Sequence, residues 1–479
     1  MQTILYATDV ENPALDWIFQ YCSLAAGCVF KRTTERQQAA VVYTNAEVEE
    51  GQLRVPVWPA YYEKAAAHCL NRRGYWVPEE MRETEDLIDY LGLMFRLLNI
   101  YDELLVPSHQ RDERGNLALD LVLPRLEFRE RPMVDEVLHL FKRRLVERGL
   151  LQEEDLLPLW PEGKRYAVLL THDTDGLCLL QPRALAIAGV KGFVQRNRPE
   201  RRAFWEGCRR LATGGSDPYF NFAPWAEFER TLPARSAFYV YVRSKGVPGN
   251  VHNPSYRLDK KQRRWHIIHE LAEQGWEIGL HASMHALSNE DFLRREKRDL
   301  EDFLGAPVTG NRCHYWHINW RDPEESFRRL VNTGFHYDSS MAWRNSVGFR
   351  SGTSLPYYPF DALQARAFQL LEIPTAIMDG HFFEYPVRTD AHTLFTSVVK
   401  QVKEYGGVLN LNWHTETWVD AFSYEGWRSF LAAELRELAS SHEAWFATPG
   451  ELTAHWSQRA RLLTGEASPI DRVAINTVD

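Results

Sequence analysis

The stretch YAVLLTHDTDG (166–176) joins an apolar run to a polar end, and it decides the predicted fold. The apolar residues are typical of a buried β-strand, and they lead directly into Asp173 and Asp175, followed by a glycine. Three interpretations fit this stretch taken alone. It is a solvated turn, a phosphotransfer site with an aspartyl nucleophile, or a hydrolase site that uses a metal ion.

Strands and helices alternate after this stretch. RSAFYVYVR (235–243), WEIGLHASMH (276–285) and GGVLNLNWH (406–414) have the composition of buried strands, and helical patterns such as residues 261–275 lie between them. This alternation predicts an α/β fold with a parallel sheet or barrel. In such folds the chemistry gathers at the C-terminal ends of the strands, where this sequence places histidines and aspartates.

The length of 479 residues exceeds the size at which a single hydrophobic core stops growing, so two domains are predicted. Residues 151–165 carry two prolines and mixed charge, and we place the boundary there. The sequence thus predicts a smaller mixed α+β domain over 1–160, an α/β domain over 161–458 and a tail over 459–479. Long helical patterns over 79–105 and near 133–148 belong to the first of these.

The overall composition excludes some classes of protein. With 56 Lys and Arg against 65 Asp and Glu, the net charge of −9 gives no basic excess for nucleic-acid binding. No apolar run is long enough for a transmembrane segment, and the first residues do not form a signal-peptide pattern. The six cysteines are scattered, which favours reduced thiols. We therefore expect a soluble, cytoplasmic protein.

Two histidines follow another predicted strand end. His281 and His285 in LHASMH have a spacing that lets both imidazoles point the same way from one helical turn. Together with Asp175 they would form a two-histidine, one-carboxylate set with positions left for water and substrate. Asp173 could then accept a proton from that water. The alternative for the histidines is a surface or core role, and for the carboxylates an Asx turn or helix cap.

Five short motifs extend this pattern along the chain. Taken in order, they resemble the NodB-type polysaccharide deacetylase family (carbohydrate esterase family 4), and they are THDTDG, LHASMH, NRCHYW, YDSS and LNWH. The first motif has the D-x-D form of the more divergent branches. The resemblance covers roughly residues 165–456. It implies a distorted (β/α) barrel, and the region before it resembles the accessory N-terminal region of some family members.

The resemblance also implies a divalent transition metal and its ligands. Zn²⁺ is the first choice, with Co²⁺, Ni²⁺ or Mn²⁺ as alternatives. The implied metal ligands are Asp175, His281 and His285, and Asp173 is the implied catalytic base.

The later motifs imply the remaining roles. Arg312 would pair with the catalytic base, and the backbone N–H of Tyr315 would bind the oxyanion. His414 would be the general acid for the leaving amine. Asp338 would orient His414 and raise its pKa.

The implied activity is removal of an N-acetyl group from a sugar in a polysaccharide or glycan precursor, and the sequence leaves the sugar open. One alternative is a degenerate deacetylase scaffold that only binds a glycan or a protein. Another is a Mg²⁺-dependent phosphatase of the haloacid dehalogenase type, with Asp173 as nucleophile and Asp175 as acid/base. The residues after the second aspartate, Gly176 and Leu177, do not fit that pattern.

Overall fold

The computed structural model describes residues 1–66, 68–70, 76–78, 89–119, 129–249, 253–383, 390–465 and 468–470. The helix predicted over 79–105 therefore lies partly outside the described residues. Its described part forms two helices, Tyr90–Leu98 and Tyr101–Leu104. Among the described residues, no helix has the length and apolar character that a membrane crossing requires.

The N-terminal region contains a four-stranded sheet with strand order β2-β1-β3-β4 and parallel pairing throughout. Its strands are β1 (Thr3–Thr8), β2 (Val29–Arg32), β3 (Val41–Tyr43) and β4 (Leu53–Val55). A short antiparallel pair follows, formed by β5 (His68–Leu70) and β6 (Trp76–Pro78). The main helices of this region are Pro13–Ala26, Tyr90–Leu98 and Met133–Glu147.

The second sheet has nine strands, paired in parallel, in the order β14-β11-β10-β9-β8-β7-β16-β15, with β17 beside the start of β7. Its strands are β7 (Tyr166–Asp173), β8 (Ala237–Val240), β9 (Glu277–Ala282), β10 (Gly310–Cys313), β11 (Tyr337–Asp338), β14 (Leu371–Glu372), β15 (Ile377–Met378), β16 (Val408–Asn412) and β17 (Ala444–Ala447). A separate antiparallel pair is formed by β12 (Phe360–Asp361) and β13 (Arg366–Ala367).

One chain segment closes the nine-stranded sheet. Residues 371–378 pair with β11 at their beginning, as β14, and with β16 at their end, as β15. Between the two strands, the backbone N–H of Ala376 donates to the carbonyl oxygen of Asn410 at 3.1 Å. The segment therefore joins the two edges of the curled sheet, and the α/β fold of a distorted (β/α) barrel is confirmed.

Helices follow most strands of the barrel, and local sequence signals set their ends. They are Pro182–Gly189, Arg198–Thr213, Phe222–Glu229, His266–Glu273, Glu290–Leu304, Pro323–Thr333, Gly380–Phe383, Ala391–Tyr405, Trp427–Ser440 and Pro449–Thr464. In Pro323–Thr333, the side chain of Asp322 caps the first turn by accepting the N–H of Glu325, and proline fixes the first helical φ. Gly334 ends the helix at a φ of 81°, which a side chain would disfavour.

The hydrophobic core is continuous across the predicted domain boundary. One buried cluster contains Leu15 and Phe141 of the N-terminal region together with Leu169, Tyr337 and Trp456 of the barrel. Packing of this kind couples the two regions, because each buries apolar surface of the other. The sequence changes character near residue 160, but residues on both sides of this boundary contribute to one hydrophobic core.

The predicted tail begins inside a helix. Pro449–Thr464 passes through residue 458 without interruption. Arg459, which follows, is buried and donates hydrogen bonds to the carbonyl oxygens of Leu24 and Pro158 at 2.7 and 2.6 Å. The first residues assigned to the tail are therefore part of the packed structure. The helix continues to Thr464, so residues 459–464 of the predicted tail are helical.

Candidate active site

Polar side chains converge where four strands of the nine-stranded sheet end. Asp173 is the last residue of β7, His281 lies near the end of β9, Arg312 lies in β10, and His414 follows β16. Because these strands are parallel, their C-terminal ends share one rim of the barrel. The sheet thus brings together residues that are far apart in sequence.

Three side chains form a group with the geometry of a metal site. Oδ1 of Asp175 lies 3.0 Å from Nε2 of His281 and 3.2 Å from Nδ1 of His314. The two histidine nitrogens lie 3.0 Å from each other. Metal–ligand bonds of about 2.0–2.2 Å at tetrahedral or octahedral angles would place ligand atoms ~3.0–3.4 Å apart. The three residues therefore fit a divalent transition metal.

The protonation states of these side chains also favour metal binding. Nδ1 of His281 lies 3.0 Å from the carbonyl oxygen of Arg312, which can only accept, so Nδ1 carries a proton and Nε2 is left for a ligand bond. Burial raises the pKa of Asp175, but the neighbouring imidazoles of His314 and His281 outweigh burial and hold the pKa well below its usual range, so the carboxylate is ionised. Asp175 Oδ1 is buried without a well-oriented hydrogen bond. An ion would satisfy this oxygen.

His285 lies outside this group, and His314 takes the position that the sequence assigned to it. A spacing of four residues brings two side chains within about 5–6 Å of each other in a helix, whereas along a strand it separates them by about 13 Å. His281 instead lies in strand β9, which ends at Ala282, and the chain turns before His285. The histidine that meets His281 follows the adjacent strand β10. Its signal in the sequence was its place after a strand end, and the strand order was needed to use it.

The structure brings Asp173 and Arg312 together. Oδ1 of Asp173 lies 3.3 Å from Nη1 of Arg312, and Oδ2 accepts a hydrogen bond from Nδ2 of Asn412 at 2.8 Å. Burial raises the pKa of Asp173, but the charges of His281 and Arg312 outweigh it, so the pKa lies below its usual value. Asp173 is therefore held as a carboxylate, the form in which it can accept a proton. Sequence reasoning missed Asn412.

Arg312 is fully buried, and its guanidinium is fixed on all sides. It donates to Thr171 Oγ1 at 2.7 Å, to the carbonyl and hydroxyl oxygens of Ser339 at 3.1 and 2.9 Å, and to Thr375 Oγ1 at 3.2 Å. The guanidinium carbon also lies 4.4 Å from the centre of the Tyr239 ring. Because these contacts fix the guanidinium, Arg312 holds the neighbouring carboxylate of Asp173 in one position.

His414 is oriented by Asp379, and Asp338 lies elsewhere. Nδ1 of His414 is 2.9 Å from Oδ1 of Asp379. Asp338 instead accepts hydrogen bonds from Asn311 Nδ2 at 2.6 Å and from Ser340. The strand order explains the difference. Asp379 follows β15, the neighbour of β16 that leads to His414, whereas Asp338 belongs to β11, which pairs with β10 and β14 and not with β16.

A cavity of about 190 Å³ lies at this rim of the barrel, and its lining includes Asp173, Asp175, Tyr315 and His414. Tyr315 and the next residue have φ values of 57° and 55°, in the left-handed region that non-glycine residues seldom adopt. Such strain at the rim of a cavity is typical of functional sites. Tyr315, to which the sequence motif assigned the oxyanion, thus lines the cavity.

Besides Asp379, the sequence motifs missed two charged residues of the cavity wall, Arg344 and Glu416. Burial raises the pKa of Glu416 to about 7. A side chain at Gly176 would approach its carboxylate to 2.4 Å, so the glycine after the D-x-D motif leaves room for Glu416. This contact explains why a glycine ends the motif.

No protein-family model matches the chain, and no curated protein sequence matches it. Several solved structures are similar to it. A "putative polysaccharide deacetylase" from Mycobacterium smegmatis is 19% identical, with 64% of this chain and 94% of that chain covered and a TM-score of 0.40. A "probable polysaccharide deacetylase" from Pseudomonas aeruginosa PAO1 is 14% identical, with 63% and 94% covered and a TM-score of 0.39.

A Puue allantoinase structure is also similar, at 14% identity, with 63% of this chain and 93% of that chain covered and a TM-score of 0.40. At these identities the likeness concerns the fold. The case for a function therefore rests on the site itself.

Proposed function

We propose that this chain is a metal-dependent hydrolase that removes an N-acetyl group from a sugar of a polysaccharide or glycan precursor. The observation that carries the proposal is the juxtaposition of two different sets of side chains at one cavity. The first is the group Asp175, His281 and His314, which fits a divalent metal. The second is the pair of proton-transfer candidates, Asp173 and His414, which line the same cavity.

The metal would be held by Asp175, His281 and His314. One carboxylate and two imidazoles suit Zn²⁺ in the first place, and Co²⁺, Ni²⁺ or Mn²⁺ in the second. When bound, the metal supplies acidification of a water molecule and polarisation of the acetyl carbonyl. With three protein ligands, a bound metal would keep a coordination position for water or substrate, as a catalytic metal requires.

Asp173 has the contacts expected of a general base. Its carboxylate is kept ionised by Arg312 and is held on the other oxygen by Asn412, so it faces the cavity in a fixed position. It would accept the proton of the attacking water. The backbone N–H of Tyr315 would donate to the oxyanion that develops on the carbonyl oxygen, a contribution of about 2.7–4 kcal/mol for one such donor in other enzymes.

His414 has the contacts expected of a general acid. Burial lowers the pKa of His414, but the negative charges of Asp379 and Asp175 outweigh it and hold the pKa well above its usual range. The ring is thus protonated before the reaction. With Nδ1 engaged by Asp379, the proton on Nε2 would pass to the leaving amine nitrogen.

The same proposal extends to the chain as a whole. The one-residue gap between Asp173 and Asp175 and the presence of an N-terminal region would place it in a divergent D-x-D branch of NodB-type deacetylases. The rival is a degenerate scaffold that binds a glycan or a protein without hydrolysis. Side chains suited to each role are present at the cavity, which favours the hydrolase.

The test is metal content combined with acetate release from a panel of N-acetylated sugars and sugar polymers. We expect the wild type to bind a transition metal and to release acetate. Asp175→Ala should lose both, whereas Asp173→Asn should keep the metal and lose acetate release, because only its role as base is removed. A wild type that binds metal without releasing acetate or any other acyl group would favour the scaffold. A wild type without metal would overturn the proposal.

A further inference from the structure

A turn of the N-terminal region packs against two residues that line the cavity. Arg111 and Leu117 pair as an antiparallel bridge, and we call the residues between them the 112–116 turn. Oδ1 of Asp112 accepts the backbone N–H groups of Arg114 and Asn116 at 2.8 and 2.9 Å. The guanidinium of Arg111 donates to the carbonyl oxygen of Gly115 at 2.8 Å. These bonds hold the turn in one conformation.

The turn makes two separate contacts with the cavity wall. The guanidinium carbon of Arg114 lies 3.9 Å from the centre of the Tyr315 ring, the separation of a cation–π contact. Asp112 forms an ion pair with Arg344. Tyr315 and Arg344 both line the cavity. The side chain of Arg114 is only 9% exposed, so its contact with the ring is shielded from water.

The segments on either side of the turn are fastened to the barrel. Arg350 of the barrel and Glu103 of the N-terminal region form a buried pair, with Nη2–Oε2 and Nε–Oε1 distances of 2.7 and 3.0 Å. Beyond the turn, Leu117 and Leu119 pack against Trp343, the residue before Arg344. The turn is therefore held in place at both ends rather than resting on the surface.

We infer that the N-terminal region supports the active site from outside the cavity, with the 112–116 turn packed against the lining residues Tyr315 and Arg344 and with Arg114 as a positioning residue for Tyr315. The inference rests on the proposed function for its catalytic meaning. Tyr315 holds a left-handed backbone conformation, which is unfavourable for a non-glycine residue and persists only where its surroundings impose it. Arg114 packs on the ring of that residue, and so it stabilises the conformation in which the Tyr315 N–H meets the substrate.

The test compares Arg114→Ala and Arg114→Lys with a matched control, Glu113→Gln. Glu113 belongs to the same turn, and its side chain is 78% exposed. Its Oε1 lies 3.8 Å from Nη2 of Arg114, and an ion pair with so exposed a carboxylate contributes little, so E113Q tests the loss of this pair without loss of the contact with Tyr315. Hydrogen–deuterium exchange is measured on the peptide covering residues 312–318, and kcat and KM are measured on the N-acetyl sugar that the wild type hydrolyses. We expect R114A to speed exchange in this peptide and to lower kcat about 10-fold, with a smaller change in KM. R114K should recover part of both, and E113Q should resemble the wild type.

Unchanged exchange in R114A would overturn the inference, and so would faster exchange spread over the whole barrel, which would indicate only general packing. Equal kcat loss in R114A and E113Q would also overturn it. The exchange measurement needs no substrate. Failure of the proposed function, seen as a wild type that releases no acetate, is thus distinguishable from failure of this inference.

Discussion

The carboxylate of Asp379 holds His414 at two points. Its Oδ1 lies 2.9 Å from Nδ1 of the ring, and its Oδ2 accepts the backbone N–H of His414 at 2.8 Å. Asp379 is itself buried, and its Oδ1 also accepts the N–H of Gly380 at 2.7 Å. Backbone and ring are therefore fixed by the same group, which leaves Nε2 facing the cavity beside Asp175, 3.5 Å away.

Replacing Asp379 should impair catalysis more than substrate binding. We expect Asp379→Asn to lower kcat about 100-fold, the scale of general-acid catalysis, because an amide supports a protonated ring less well than a carboxylate does. KM should change little, which steady-state kinetics of acetate release would show. The matched control is Asp338→Asn, for which we expect a smaller loss of kcat. An equal or larger loss in D338N would restore the role that the sequence motif gave to Asp338.

Two histidine variants should differ in metal content. We expect His314→Ala to weaken metal affinity by about 100-fold or more, since it removes one of three ligands. Replacing a residue that only orients a ligand by a hydrogen bond costs about 10–100-fold. His285→Ala should retain the metal of the wild type. Elemental analysis after dialysis against a fixed free metal concentration measures both. Metal loss in H285A with retention in H314A would mean that the ligand set implied by the sequence is correct.

A buried pair next to the site should contribute to stability. His172 Nε2 lies 3.0 Å from Glu229 Oε1, both side chains are inaccessible to solvent, and Glu229 also accepts Trp276 Nε1 at 2.6 Å. We expect Glu229→Ala to lower the free energy of unfolding by about 3–5 kcal/mol, because it leaves the histidine without its partner. Denaturant unfolding measures the change. A loss below about 1 kcal/mol would show that water or a rearrangement replaces the carboxylate.

Stability should depend on pH through Glu296, which is buried and accepts the backbone N–H of Ser283 at 2.9 Å. Burial raises its pKa to about 7, against 4.5 as the ordinary value. The folded state therefore favours the protonated form. The stability that this group contributes is complete below pH 4.5 and is lost as the pH rises through 7.

Glu296→Gln removes this dependence, since glutamine does not titrate. We expect the difference in unfolding free energy between wild type and E296Q to shift by about 2–3 kcal/mol in favour of the variant between pH 4.5 and pH 8. Denaturant unfolding at a series of pH values measures it. A difference that stays constant over this range would show that Glu296 is ionised in the folded protein at all of them.

Local sequence patterns predicted the barrel and part of the site. The apolar strand that ends at Asp173 was recognised because a buried parallel strand needs a continuous apolar run. The pairing of Asp173 with Arg312 was implied by the family resemblance, and the two side chains do lie together. In the N-terminal region the helical pattern located the helix Tyr90–Leu98, but the periodicity did not show the break after Leu98, where Ile100 is left-handed.

The sequence by itself determined which residue types stand at the ends of which strands, since strand and helix periods are local properties. Only the tertiary structure decided which of them are neighbours. His314 replaces His285 because β9 and β10 are adjacent, and Asp379 replaces Asp338 because β15 pairs with β16. Contacts of this kind depend on strand order and on the closure of the barrel, which spacing along the chain does not encode.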